Sequence, residues 1–183
     1  MKVRNLKRMI VGTCMILCAT VINIEAAEYD HEVKDKDISF AWKVDGETLA
    51  VKLEAKTDGW VGVGFNPVKE MMGGNYILGY VKNGVAEVVD DYGYDENKHK
   101  SDTKLDGTTD VTLVGGTEED GTTIIEFTIP LETADKNDKK IDVNGDTIVL
   151  LAYGAGRDSF RSKHRYRNSH KVNLSTGVSE EIK

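Results

Sequence analysis

Three sets of residues in this 183-residue chain have side chains whose types could do chemistry. The first is Lys69-Glu70-Met71-Met72-Gly73-Gly74-Asn75, which sets two thioethers in a glycine-rich loop between apolar segments. A thioether is a soft, polarisable ligand, and it is equally a common filler of gaps in a core. The second runs from Tyr153 to Lys171. It carries Arg157, Arg161, Lys163, Arg165, Arg167 and Lys171 against a single acid, Asp158, together with His164 and His170. In an acidic chain this cluster is a local anomaly. It could neutralise an anionic ligand, or pair as a solvated loop with acids elsewhere.

A third set is acidic: Asp90-Asp91, Asp95-Glu96, and the segment from Asp135 to Asp146. Asp142, Asn144 and Asp146 have an alternate spacing that suits Ca²⁺. The twelve-residue loop with its terminal Glu is absent, so calcium is not expected and a solvated loop is. Catalytic patterns are absent too. There is no Gly-x-Ser-x-Gly, no His-Glu-x-x-His and no glycine-rich phosphate loop before a helix. Ser159 and Ser162 near His164 lack a placed acid. No catalytic role is expected from these patterns.

These residues must be positioned by strands. Ile38–Val44 alternates Ile38, Phe40, Trp42 and Val44 on one face, and Leu49, Val51 and Leu53 repeat the pattern after a turn at Asp45-Gly46-Glu47. Gly59–Phe65, Tyr76–Lys82, Val85–Asp90, Val111–Thr117, Thr122–Ile129, Thr147–Tyr153 and Lys171–Leu174 read as further strands. Asn83-Gly84 is a hairpin-turn signal. The glycines of Gly59–Phe65 imply that something packs close to that backbone. No helical period is sustained. The pattern predicts an all-β fold, an antiparallel immunoglobulin-like β-sandwich of about 9–11 strands. Trp42, Leu53, Val63, Phe127, Ile148 and Leu150 are predicted to be mostly buried. Tyr92–Thr109 and Glu132–Asp146 read as long surface loops.

The chain begins Met1-Lys2-Val3-Arg4-Asn5-Leu6-Lys7-Arg8, continues uncharged from Met9 to Ile24, and reaches Glu25-Ala26-Ala27. That is the layout of a secretory signal peptide over residues 1–26, which implies a secreted or periplasmic protein. The alternative is an uncleaved anchor holding the domain outside the membrane. Both cysteines, Cys14 and Cys18, lie in this segment. A mature chain without cysteine has no disulfide, no cysteine-ligated metal and no covalently attached haem. Of 24 basic and 31 acidic residues, residues 1–26 hold four and one, leaving 20 against 30 and a net charge of about −10. Such a charge argues against nucleic acid as a partner.

Taken together these segments resemble a known family. They are Gly59-Trp60-Val61-Gly62-Val63-Gly64-Phe65, then Met71-Met72-Gly73-Gly74-Asn75-Tyr76-Ile77-Leu78-Gly79, and later Tyr153-Gly154, Asp158-Ser159-Phe160, His164, Arg167 and Val172-Asn173-Leu174. The order resembles the DOMON domain, in particular the b-type haem-binding domain of the cellobiose dehydrogenase type. The resemblance spans residues 37–176, between a lead-in at 27–36 and a tail at 177–183. It implies a non-covalent haem b ligated by Met71 and His164, an electron-transfer role and a redox partner protein. By motif position Met71 matches rather than Met72, and His164, three residues before Arg167, matches rather than His170. Trp60, Tyr153 and Phe160 are implied cofactor contacts, with Arg161, Arg165 and Arg167 near the propionates. Asn168 stands where the family commonly has Gly, and Asn75 where Asp is commoner. Some members bind sugars, so a module for carbohydrate or another small ligand remains an alternative, with Trp60, Tyr92 or Tyr94 as stacking platforms, and a structural or partner-docking domain in a redox complex is a third reading.

Overall fold

The computed structural model describes residues 28–182. The signal-peptide segment and its cleavage point lie outside the described residues. The described chain forms twelve strands and one 3₁₀ turn. They are β1 (His31–Asp35), β2 (Ile38–Asp45), β3 (Thr48–Ala55), β4 (Val61–Phe65), β5 (Asn75–Lys82), β6 (Val85–Asp95), β7 (Lys98–Ser101), the turn at Asp102–Leu105, β8 (Thr112–Glu119), β9 (Thr122–Pro130), β10 (Thr147–Gly154), β11 (His164–Val172) and β12 (Ser179–Ile182). Among the described residues no helix is long and apolar enough to cross a membrane.

The strands make two antiparallel sheets packed as a sandwich. One has five strands in the order β1-β2-β3-β9-β8, the other seven in the order β12-β11-β10-β4-β5-β6-β7. The period-2 pattern sets the faces. Phe40, Trp42, Val51, Leu53, Ile125 and Phe127 from the smaller sheet meet Val61, Val63, Ile77, Val149 and Leu151 from the larger, all buried. The indole of Trp42 donates to the carbonyl of Leu174 at 2.8 Å, so this buried polar atom is satisfied.

Four expectations change. Ile148 and Leu150 are half-buried, because they occupy the outer face of β10 while Val149 and Leu151 face the core. Residues 92–109 are not a loop: β6 runs on to Asp95 and is followed by β7 and the 3₁₀ turn. The basic stretch is itself a strand from His164, where the last strand was expected only from Lys171. Residues 31–35 and 179–182 form edge strands, short segments whose mixed polarity hides their period.

The larger sheet has a second apolar face. Its outward residues Trp60, Tyr76, Leu78 and Tyr80 form a separate buried cluster, joined by Met71, Val89, Leu150, Ala152 and Phe160. Apolar residues on both faces of the central strands mean that something covers the outer face as well. Loops do so, and the space they leave is the candidate site.

Candidate functional site

A cavity of about 410 Å³ lies on the outer face of the seven-stranded sheet. Its floor is Gly62 of β4, Leu78 of β5 and Leu150 and Ala152 of β10. Met71 reaches it from the β4–β5 loop, and Phe160, Arg161, Ser162 and Lys163 from the β10–β11 loop. His164 and Arg167 come from β11, Asn97 and His99 from the β6–β7 hairpin. The volume is within the usual range for small-molecule sites, roughly 300–1,000 Å³.

Met71 is held there by its backbone. Its N–H donates to the carbonyl of Glu96 at 3.0 Å, and its carbonyl accepts from the Tyr76 hydroxyl at 3.0 Å. The loop is laced to β6 by the N–H of Gly73 on the Gly93 carbonyl at 2.7 Å and the N–H of Gly93 on the Gly74 carbonyl at 2.9 Å. Gly93 must be glycine, since a Cβ there would sit 1.8 Å from the Met71 carbonyl oxygen. Met72 is 37% exposed and lines no part of the cavity.

A bulge aims His164. Tyr153 pairs with Tyr166, but Gly154 pairs with His164, so Arg165 is the extra residue in β11. In a regular ladder His164 would share the inner face with Tyr166. The bulge turns it outward, on the side of Arg167, which pairs with Ala152 on the cavity floor. Burial and the charges of Arg167 and Lys163 hold the His164 imidazole below its ordinary pKa, which favours the neutral form that ligates metals. His170 stays inward, 6% exposed, with Nε2 2.9 Å from Asp35 Oδ2.

Trp60 is a support rather than an open stacking platform. It is 5% exposed, and its indole N–H lies 3.1 Å from the Ser162 carbonyl and 2.9 Å from its hydroxyl. That contact pins the β10–β11 loop over the sheet. Phe160 then packs on Tyr80 with ring centroids 4.5 Å apart.

Of the residues singled out from the sequence, Met71, His164, Trp60, Phe160, Arg161 and Arg167 line one cavity. Tyr153 and Arg165 are not brought to it. Tyr153 is an inner-face residue, 2% exposed, with its hydroxyl 3.2 Å from Asp37 Oδ2. Arg165 is the exposed bulge residue. The close approach implied by the strand glycines is only partly open to a ligand. At Gly64 the space is filled by the Tyr76 ring, which a Cβ would meet at 2.3 Å, while Gly62 faces the cavity. Tyr76, Leu78, Asn97 and His99 were not foreseen. The outward Tyr76, Leu78 and Tyr80 could have been found, since β5 is apolar on both faces. His99 carries no such signal. Its Nδ1 lies 2.6 Å from Asp91 Oδ2.

The donor set suits a flat iron macrocycle: one thioether, one imidazole held toward its neutral form, apolar and aromatic walls, and cations at the rim. Among the described residues Arg161 and Lys163 make no ion pair, while Arg167 stands 3.9 Å from Glu70 in a half-exposed contact worth little by itself.

A family model for the DOMON domain matches residues 34–154. DBH-like monooxygenase protein 1 of Mus musculus is 30% identical over 141 residues, 75% of this chain and 22% of that protein. Its Homo sapiens counterpart is 32% identical over 130 residues, 71% of this chain and 20% of that protein. The chain thus spans about a fifth of the length of these relatives. Among solved structures, the cytochrome b domain of pyranose dehydrogenase from Coprinopsis cinerea superposes with a TM-score of 0.55 at 11% identity, covering 74% of this chain and 77% of that one. The cytochrome domain of Myriococcum thermophilum cellobiose dehydrogenase gives 0.53 at 9% identity, covering 77% of each chain. At such identities the likeness is one of fold.

Proposed function

The chain belongs to the DOMON domain family, and we propose on that footing that it is an extracytoplasmic haem b-binding module that transfers electrons. Met71 and His164 would be the residues that hold its iron. One observation carries this: the two side chains, 93 positions apart, line one cavity with apolar walls and a cationic rim. The neighbours in fold are cytochrome domains of other proteins, which agrees with the same reading.

Bound there, haem would supply a one-electron couple. The rest is done by the chain's own residues. The neutral imidazole of His164 and the thioether of Met71 would hold its iron. A thioether in place of a second imidazole would raise the potential of that couple. Trp60, Leu78, Leu150 and Phe160 exclude water, and Arg161 and Lys163 offer charge to the propionates. A redox partner would dock at the rim that carries Arg161, Lys163 and Arg167. The relatives named monooxygenases extend far beyond this domain, and their activity is not assigned to it. The expected address outside the cytoplasm follows from the signal-like first 26 residues.

The test is a visible spectrum of protein purified from haem-replete cells. The wild type is expected to show low-spin haem b, His164→Ala to lose most of it, and His170→Ala to keep it. A colourless wild type would favour a haem-free ligand-binding module.

A further inference from the structure

A second hollow, an open groove of about 480 Å³, lies beside the cavity. Asn97, His99, Phe160 and Arg161 line both and form a common wall. The groove's own residues include Val89, Asp91 and Tyr94 of β6, Lys98 of β7 and Lys104 of the 3₁₀ turn.

A bulge turns Tyr94 into this groove. Gly93 pairs with His99 and Asp95 with Lys98, so Tyr94 is the extra residue in β6. In a regular ladder Tyr94 would share the face of Tyr92, away from Val89 and Asp91. Bulges re-aim side chains in this way, and they gather beside functional sites. The Tyr94 ring is left 45% exposed. Phe160, fixed by its stack on Tyr80, supplies a second ring.

The charge of the groove runs against that of the acidic chain. Lys98, Lys104 and Arg161 stand with one lining carboxylate, Asp91, and that carboxylate is already engaged by His99 Nδ1 at 2.6 Å. Among the described residues Lys104 and Arg161 make no ion pair. Lys98 pairs with Asp95 at 3.1 Å, but both are exposed and such a contact is worth little. Neutral hydrogen-bonding side chains are few. The Ser101 hydroxyl is joined to that of Thr103 at 2.9 Å, which leaves the Asn97 amide. A polyol would find few partners for its hydroxyls there.

We propose that this groove binds a small aromatic anion, with its ring on Tyr94 and Phe160 and its charge on Lys104 and Arg161. Aromatic walls favour a flat ring in stacked or edge-on contact. A guanidinium takes a carboxylate through two parallel hydrogen bonds. The volume falls within the range of small-molecule sites, roughly 300–1,000 Å³. The common wall sets the ligand next to the cavity, but its binding requires no haem, so the site stands whether or not the cavity is filled.

The test is calorimetric titration of the exported chain, as purified, with 4-hydroxybenzoate. Inorganic phosphate, which lacks the ring, and 4-hydroxybenzyl alcohol, which lacks the charge, are titrated in parallel. One equivalent of 4-hydroxybenzoate is expected to bind, roughly tenfold tighter than either, and to weaken as salt is added. Tyr94→Ala and Lys104→Gln alter exposed residues that line the groove and not the cavity. Each is expected to weaken binding roughly fivefold. Lys56→Gln, an exposed change just past β3 on the other sheet, should leave it unchanged. The proposal is overturned if 4-hydroxybenzoate does not bind saturably, or if phosphate or the alcohol binds as tightly. It is also overturned if Tyr94→Ala or Lys104→Gln binds like wild type, which would place the ligand elsewhere.

Discussion

At the scale of single residues, the choice of ligands rests on which of two neighbours faces the cavity. Met72→Ala should leave a bound haem unchanged, because its side chain is exposed and outside the site. Met71→Ala should lower the reduction potential and open an axial position. His99 lines the same cavity with its Nδ1 on Asp91, a support typical of metal-ligating histidines. It is the natural rival, so His99→Ala should keep the six-coordinate spectrum, and a five-coordinate product would give His99 the place assigned to Met71. Met71 and His164 line the cavity while Met72 and His170 do not, in agreement with the motif positions of the DOMON resemblance, which set Met71 two places before Gly73 and His164 three places before Arg167. Tyr153 was legible in principle as a core residue, since it shares parity with Val149 and Leu151. Arg165 was not, because nothing in the sequence announces a bulge.

At the scale of elements, the site depends on two local irregularities. One is the seam between the Met71 loop and β6 at Gly93. Gly93→Ala should displace the Met71 backbone and loosen haem while the rest of the sandwich keeps its far-ultraviolet circular dichroism. The other is the bulge in β11, without which His164 would turn to the core. The strand carrying it is anchored to the opposite sheet through Asp35, which accepts from Tyr166 at 2.8 Å and pairs with His170 at 2.9 Å. Burial alone would raise the Asp35 carboxyl, but hydrogen bonds from His170, Tyr166 and Asn168 outweigh it and hold the pKa below the ordinary 3.8. The sign follows: this tie is complete above 3.8 and is lost as pH falls through the lower folded value. Urea midpoints for Asp35→Asn should therefore fall less steeply with acid than those of wild type. A slope equal to wild type would mean that the pair is not what holds β1 to β11. These pairings join residues more than 130 positions apart, which no local pattern encodes.

At the scale of the whole molecule, two layers divide the work: the space between the sheets gives stability and the outer face of the larger sheet holds the site. Phe127 lies in the first, 1% exposed and paired with Val51. Phe127→Ala should cost about 3–5 kcal/mol in chemical denaturation, yet leave any haem spectrum intact, because the cavity lies beyond the other sheet. The sandwich itself was readable from alternation in β2, β3, β4 and β9. The two-sided character of β5 and β10, which makes room for a ligand, was visible only as unbroken apolar runs. The most direct test of the account is the reduced visible spectrum of haem-loaded Met71→Ala, taken with and without carbon monoxide beside the wild type. The wild type should remain low-spin and unchanged by the gas, and the variant should bind it. A wild type that binds carbon monoxide, or a variant as inert as wild type, would contradict Met71 and His164 as the axial pair.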